Sequence, residues 1–327
     1  MSTLPDASAT ALSLIAQDMS EVDRIIHDRL SSGVPLVGQV SQYIIAAGGK
    51  RLRPALLLLM AKAIGFEGPQ RHPMAAVVEF IHTATLLHDD VVDESTLRRG
   101  RPTANQNFGN PASVLVGDFL YSRAFQMMVE SGQMRVMEVL AEATNVIAEG
   151  EVLQLMNTHD ASLSEDDYLL VIRSKTAKLF EASARLAPIL AQSDAATELA
   201  CATFGQALGT AFQVVDDLLD YAGDSLDFGK NLGDDLREGK TTLPLILAMR
   251  NGSPEQSQTI RNAIETGDLQ ALQNIVSIVR STGALEATQA AAAAEAQGAM
   301  AALSALPPSP YREALHQLAA QLLNRRT

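Results

Sequence analysis

Twice in this chain Asp-Asp-x-x-Asp ends an apolar, helix-forming run. Asp89-Asp90-Val91-Val92-Asp93 follows Thr85-Leu86-Leu87, and Asp216-Asp217-Leu218-Leu219-Asp220 follows Phe212 to Val215. On a helix, Asp89 and Asp93 lie on one face, about 40° apart, and so do Asp216 and Asp220. Like charges at that spacing repel. A helix C-terminal end disfavours anions as well. The apolar neighbours argue against a merely solvated helix end. A fold that keeps both clusters needs a compensating cation, and oxygen-only carboxylate groups suit Mg²⁺.

The rest of the chain reads as helix almost throughout. Ala, Leu, Met and Gln are plentiful and alternating β-branched runs are missing. Helices are expected near 6–30, 36–47, 53–65, 72–94, 111–130, 133–157, 164–190, 195–222, 240–250, 254–280, 284–304 and 309–325. Asn110-Pro111 supplies an N-cap and a first-turn Pro. Ser164 to Asp167 resembles a capping box with Asp in place of Glu. Ser253-Pro254 and Ser309-Pro310 mark further starts. No Pro/Gly/Ser-rich linker divides the chain, so a single all-α domain over 1–327 is expected. The two longest aperiodic stretches, Ser95 to Asn110 and Gly223 to Gly239, are candidate functional loops.

Composition closes off several classes. Thirty-eight acidic against 25 basic residues give a net charge of −13, which opposes general nucleic-acid binding. The sole cysteine, Cys201, permits no internal disulfide and no Cys-based zinc cluster. Its apolar surroundings predict an inert buried thiol. Neither a leader peptide nor a membrane span is expected, because the longest apolar run, Pro54 to Ala61, stops at Lys62.

Basic, Gly-containing loops follow both acidic clusters. Arg98, Arg99 and Arg101 surround Gly100, and Lys230, Arg237 and Lys240 lie among the later glycines. Upstream, Gly48-Gly49-Lys50-Arg51-Leu52-Arg53-Pro54 brackets three more bases. Arginine forks and lysine charges are the usual phosphate ligands. Carboxylates for metal beside bases for phosphate make the inventory of a diphosphate site. No P-loop pattern is present.

These motifs, with His82 through Arg99, Gly117-Asp118-Phe119, Lys175-Thr176, Gly209 to Asp220 and Gly229 through Pro244, resemble the trans-polyprenyl diphosphate synthases over nearly the whole chain. Within that family the chain looks most like the long-chain bacterial octaprenyl type. The resemblance implies a single large helical bundle around a deep central cavity, the isoprenoid synthase type, usually homodimeric. It implies Mg²⁺-dependent head-to-tail condensation of isopentenyl diphosphate onto an allylic diphosphate such as farnesyl diphosphate, giving an octaprenyl tail for quinones. Asp89, Asp93, Asp216 and Asp220 resemble the metal group, with Asp90 nearby and Asp220 acting through water. Lys50, Arg53, His82 and Arg99 resemble isopentenyl diphosphate contacts. Arg98, Lys175, Gln213 and Lys230 resemble allylic diphosphate contacts, with Thr176 near the reacting carbons. One departure is Gly239-Lys240-Thr241-Thr242, where the family has Gly-Lys-Pro-Thr.

Product length would follow cavity depth. Ala84 and Thr85 lie about one turn before Asp89. In the family, aromatic residues there cap short products, so Ala84 resembles the long-chain pattern. The floor is then expected farther down, at Met127, Met128 or Met137, although core packing is the ordinary role of such methionines. A helix of ~25 residues is ~37 Å long, comparable to an extended eight-unit prenyl tail. Three other readings remain: a shorter-chain farnesyl or geranylgeranyl diphosphate synthase, a non-catalytic partner subunit, and a di-iron bundle built on Glu79-x-x-His82 and Glu313-x-x-His316. A cytoplasmic enzyme is expected, peripheral to the inner membrane where it hands over its product.

Overall fold

In a computed structural model, which describes residues 11–46, 48–98, 100–222, 233–267 and 269–323, the chain is almost wholly helical. The helices are α1 (Ala16–Arg29), α2 (Pro35–Ala46), α3 (Leu52–Ala63), α4 (Arg71–Val92), α5 (Ala104–Phe108), α6 (Asn110–Glu130), α7 (Met134–Met156) and α8 (Glu165–Ile172). After α8 comes a π-helical turn, Arg173–Ala177. Then follow α9 (Lys178–Leu190), α10 (Ala195–Ala222), α11 (Asp234–Arg237), α12 (Leu243–Asn251), α13 (Pro254–Thr266), α14 (Leu272–Ser281), α15 (Ala284–Ala302) and α16 (Pro310–Leu322). Among the described residues the strands are β1 (Leu97–Arg98) and β2 (Arg101–Pro102), a two-residue antiparallel ribbon.

The chain forms two compact units. One comprises residues up to 144, with 179–202 and 303–318. Of the described residues, the other comprises those within 145–178, 203–302 and 319–323. In the first unit α4 packs most extensively on α6, and also on α1 and α3. The α3 run Ala55 to Ala61 is apolar on every face, and each of its residues is at most 1% exposed. A helix of that kind can only lie inside a core. Asp18 of α1 ties down the start of α4, accepting from Arg71 and His72 at 2.7 Å each. Cys201 is buried, and burial pushes its thiol up to about 12, with Glu198's charge adding to that.

In the second unit α12 is fully apolar along its first two turns and is covered by α13, α14 and α15. The buried face of α15 is Ala284, Thr288, Ala292, Ala296 and Ala299. Small residues at helical spacing let α15 approach α12 closely. Ser253 caps α13 with a complete capping box to Gln256.

Several expected boundaries move. The segment 254–280 is two helices, because Gly267 takes φ +66° and closes α13. The helix expected at 240–250 starts only at Leu243, with Thr242 extended before it and Pro244 in its first turn. Gly109, not Asn110, is the N-cap of α6, and Asn110 is its first helical residue. Ser164 does cap α8 by accepting from the Asp167 amide. The Asp167 carboxylate accepts from the Ser164 hydroxyl instead of reaching the cap backbone. The 164–190 helix carries the π-turn in its middle. Among the described residues, no helix is long and apolar enough to cross a membrane.

Candidate active site

The first acidic cluster closes α4, where the Asp93 amide donates to the Asp89 carbonyl at 2.8 Å. Asp89 and Asp93 are half-buried, whereas Asp90 is wholly buried. The β1–β2 ribbon turns at Gly100, φ +73°, and sets Arg98 beside Asp90. The Arg98 guanidinium donates from Nε at 3.0 Å and Nη2 at 2.8 Å. Asn105 adds a bond to the Asp90 carbonyl at 3.2 Å. The basic loop is therefore wound onto the middle aspartate.

His88, next to Asp89, is placed by α6. Its Nε2 is 3.2 Å from the Val114 carbonyl and 3.4 Å from the Asp118 carboxylate, and its ring stacks on Tyr121. A Cβ on Gly117 would come within 2.3 Å of that ring, so any side chain here would displace the His88 imidazole. That gives Gly117-Asp118 a physical role beside the acidic cluster.

The upstream basic motif divides by function. Arg51, left-handed at φ 48° as the N-cap of α3, pairs with the buried carboxylate of Glu79. Arg53 instead points at His82, 3.1 Å from its Nε2, with its guanidinium carbon 4.4 Å from the centre of the Phe180 ring. Burial pushes the Arg53 guanidinium down to about 10, against the opposing charge of Glu79. Its Nε is buried and has no hydrogen-bond partner. A buried donor without an acceptor costs free energy, and an oxygen-rich anion would relieve it. Arg51, Glu79, His82, Thr83, Leu86, Arg98 and Gly48 line one cleft there. With Glu79 engaged by Arg51 and His82 by Arg53, the first Glu-x-x-His is not disposed as a di-iron ligand pair.

In the second unit the π-turn carries Lys175 and Thr176. Gly150 of α7 permits its close approach, because a Cβ there would stand 2.8 Å from the Lys175 backbone nitrogen. Lys175 pairs with Glu151 at 2.6 Å. The Thr176 hydroxyl donates to Gln213 Oε1 at 2.9 Å, and Gln213 Nε2 donates to Asp217 Oδ1 at 2.7 Å. The Tyr168 hydroxyl donates to Asp217 Oδ2 at 2.6 Å. Burial, then the charge of Asp235, raises the Asp217 carboxyl well above the usual carboxylate range. Burial likewise pushes the Tyr168 phenol up, helped by Asp217.

The two clusters thus share one division. The second aspartate of each is buried and locked, Asp90 by Arg98 and Asp217 by Tyr168 and Gln213. The first, Asp89 or Asp216, stays half-buried. Asp220 differs from Asp93: its two oxygens accept the amides of Asp234 and Asp235 at 3.3 Å, latching it to the start of α11.

The other expected residues fall as follows. Lys50 is exposed. Arg99 and Lys230 lie outside the described residues. Arg237 pairs with Asp234, and Lys240 with Glu238, so local acids engage both. Ala84 and Met128 are wholly buried, Met127 nearly so, and Thr85 and Met137 half-buried. Glu79, Gly150, Glu151 and Tyr168 are site residues whose partners the sequence did not reveal.

Among the described residues, no three His, Cys, Asp or Glu side chains form a ready-made metal cage. The half-buried carboxylates nevertheless fit a hard divalent cation that completes its shell with water and substrate phosphate.

Residues 34–280 match the Polyprenyl synthetase family. The octaprenyl diphosphate synthase of Escherichia coli K12 is 55% identical over 307 residues, covering 94% of this chain and 95% of that protein. The crystal structure of a decaprenyl diphosphate synthase from Rhodobacter capsulatus superposes with a TM-score of 0.93 at 47% identity, covering 98% and 99% of the two chains. A polyprenyl synthase from Caulobacter crescentus, complexed with calcium and isoprenyl diphosphate, gives 0.94 at 44% identity over all of both chains.

Proposed function

The chain belongs to the polyprenyl synthetase family and is a trans-prenyltransferase, and from that premise we propose that it makes octaprenyl diphosphate by adding isopentenyl diphosphate units to an allylic primer, farnesyl diphosphate. The observation that carries this reading is the division shared by the two acidic clusters. In each, the second aspartate is buried in a structural bond, and the first, Asp89 or Asp216, is half-buried at the helix end, where a cation and its waters can reach it.

The cation we propose is Mg²⁺, which Asp89 and Asp93 would hold at the first cluster and Asp216 at the second, with Asp220 acting there through water. When bound, Mg²⁺ supplies Lewis-acid neutralisation of the departing diphosphate. The chain's own groups do the rest. Arg98, Lys175, Gln213 and Lys230 hold the allylic diphosphate, so that its C–O bond ionises against fixed positive charge. Arg53, with its unused Nε, holds isopentenyl diphosphate together with His82, Lys50 and Arg99. The allylic carbon then bonds to the terminal carbon of the isopentenyl double bond. A proton leaves the adduct to the departing diphosphate, so no side-chain base is needed. Apolar helix faces keep water from capturing the cation.

We read residues 1–327 as one synthase domain, because each compact unit draws on three separate chain segments. A homodimer is supported by large apolar side chains in water: Leu115 on α6, and Met134, Val152, Leu155 and Met156 on α7, all at least 58% exposed. Delivery of a long prenyl tail implies brief contact with the inner-membrane surface and otherwise a cytoplasmic protein. The test of the metal reading is turnover by Asp89→Ala and Asp216→Ala. Each should lose activity by orders of magnitude with its melting curve intact, and near-normal rates in the folded variants would overturn the assignment.

A further inference from the structure

One buried residue of the second unit has no place in that mechanism. Tyr168 of α8 is 3% exposed, and its hydroxyl meets Asp217, itself 4% exposed, at 2.6 Å. From Asp217 the bonds continue through Gln213 to Thr176. We propose that Tyr168 is a positioning residue, which through Asp217 and Gln213 fixes the direction in which the Thr176 hydroxyl points.

The argument is one of donors and acceptors. An amide side chain has two unlike ends, and its neighbours choose between its orientations. Asp217 takes a donor on each oxygen, the Tyr168 hydroxyl on Oδ2 and the Gln213 amino group on Oδ1, so the amino end of Gln213 faces it. The Gln213 carbonyl is then turned to Thr176, and the single Thr176 proton is committed to it. A hydroxyl whose proton is engaged offers only lone pairs to other neighbours. Lone pairs are what a developing allylic cation requires, whereas an O–H dipole aimed at it would repel it. Tyr168 occupies the other oxygen of Asp217 and so holds the carboxylate in the position from which this polarity is read. Without that bond the carboxylate is free to turn, and Gln213 loses the partner that dictates its orientation.

This inference rests on the prenyltransferase reading, and the experiment separates the two. Steady-state rates are measured for Tyr168→Phe, Thr176→Val and the double variant, with each diphosphate varied in turn and melting recorded alongside. Tyr168→Phe should lower kcat about tenfold, equal to about 1.4 kcal/mol. The KM for isopentenyl diphosphate should stay unchanged. In the Thr176→Val background, Tyr168→Phe should cost less than about twofold, because both changes break one relay. Independent, multiplying losses would overturn the proposal, as would an unchanged kcat or an equal rise in both KM values. Should Tyr168→Phe fail to fold, Tyr168→Phe/Asp217→Leu removes both buried partners together. It should show the same split, and a normal kcat there would overturn the relay. An unsubstituted chain that elongates no allylic diphosphate would overturn the prenyltransferase reading and this inference with it.

Discussion

The Arg98 guanidinium grips the wholly buried carboxylate of Asp90 through two nitrogens, Nε at 3.0 Å and Nη2 at 2.8 Å. Nη1 takes no part in that pair. Arg98 therefore neutralises the middle aspartate of the first cluster, and in the proposed function the same side chain contacts the allylic diphosphate. Arg98→Gln strands a buried charge, which costs roughly 3 kcal/mol or more. The expected outcome is a fall of roughly 5–10 °C in the thermal midpoint together with weaker binding of the allylic diphosphate. Calorimetry and the allylic KM check the two parts separately. Arg98→Lys, which cannot form the fork, should recover little of either.

Gly150→Ala separates positioning from stability. Alanine is favoured over glycine within α7 by about 1 kcal/mol. The new Cβ, however, would stand 2.8 Å from the Lys175 backbone nitrogen and displace the π-turn. Small displacements of binding groups are costly, on the order of a hundredfold for 1 Å. The prediction is a loss in kcat of roughly ten- to a hundredfold with a melting temperature that falls far less. Unchanged turnover would show that the close approach is not needed.

Asp18 gives the fold an acid limb. Burial alone would raise its carboxyl, but bonds from His72 and Arg71 and the charge of Lys62 hold it below the usual value of 3.8. A folded value below the unfolded one means the stabilisation is fully present above about pH 4, and it is lost as pH falls through the folded value. Asp18→Asn should lower the thermal midpoint at pH 7 by several degrees. It should also flatten the fall in stability below pH 4 relative to the unsubstituted chain. Parallel pH curves for the two proteins would contradict this assignment.

Ala84→Phe addresses product length. Ala84 is wholly buried on α4, one turn before Asp89. If the growing tail passes this point, a phenyl ring should block it and shift the products toward 15 or 20 carbons. The substitution overpacks a closed position and should cost roughly 1–3 kcal/mol as well. Unshortened products from the folded variant would move the length-determining floor elsewhere, with Met127 and Met128 the next candidates.

Much of the helical order is legible because apolar periodicity and caps are local. The spans expected at 36–47 and 195–222 correspond to Pro35–Ala46 and Ala195–Ala222. The break at Gly267 was missed because apolar spacing resumes after it. The π-turn at 173–177 lies close against Gly150 on a different helix, and no local pattern carries that contact. The acidic clusters were evident from spacing and greasy surroundings. Their internal division was not, because it is set by Arg98, which a loop folds back, and by Tyr168, which lies 49 residues before Asp217. Of the bases after the second cluster, Arg237 and Lys240 pair with neighbouring acids, which their spacing alone did not show. Sequence spacing shows which charges are near one another along the chain, and packing decides which are left available.

The most direct test of the account is to incubate the purified chain with farnesyl diphosphate, isopentenyl diphosphate and Mg²⁺, with a chelated control, and weigh the products by mass spectrometry. The account predicts metal-dependent elongation that accumulates the 40-carbon octaprenyl diphosphate. Products that stop at 15 or 20 carbons, or no elongation at all, would contradict it.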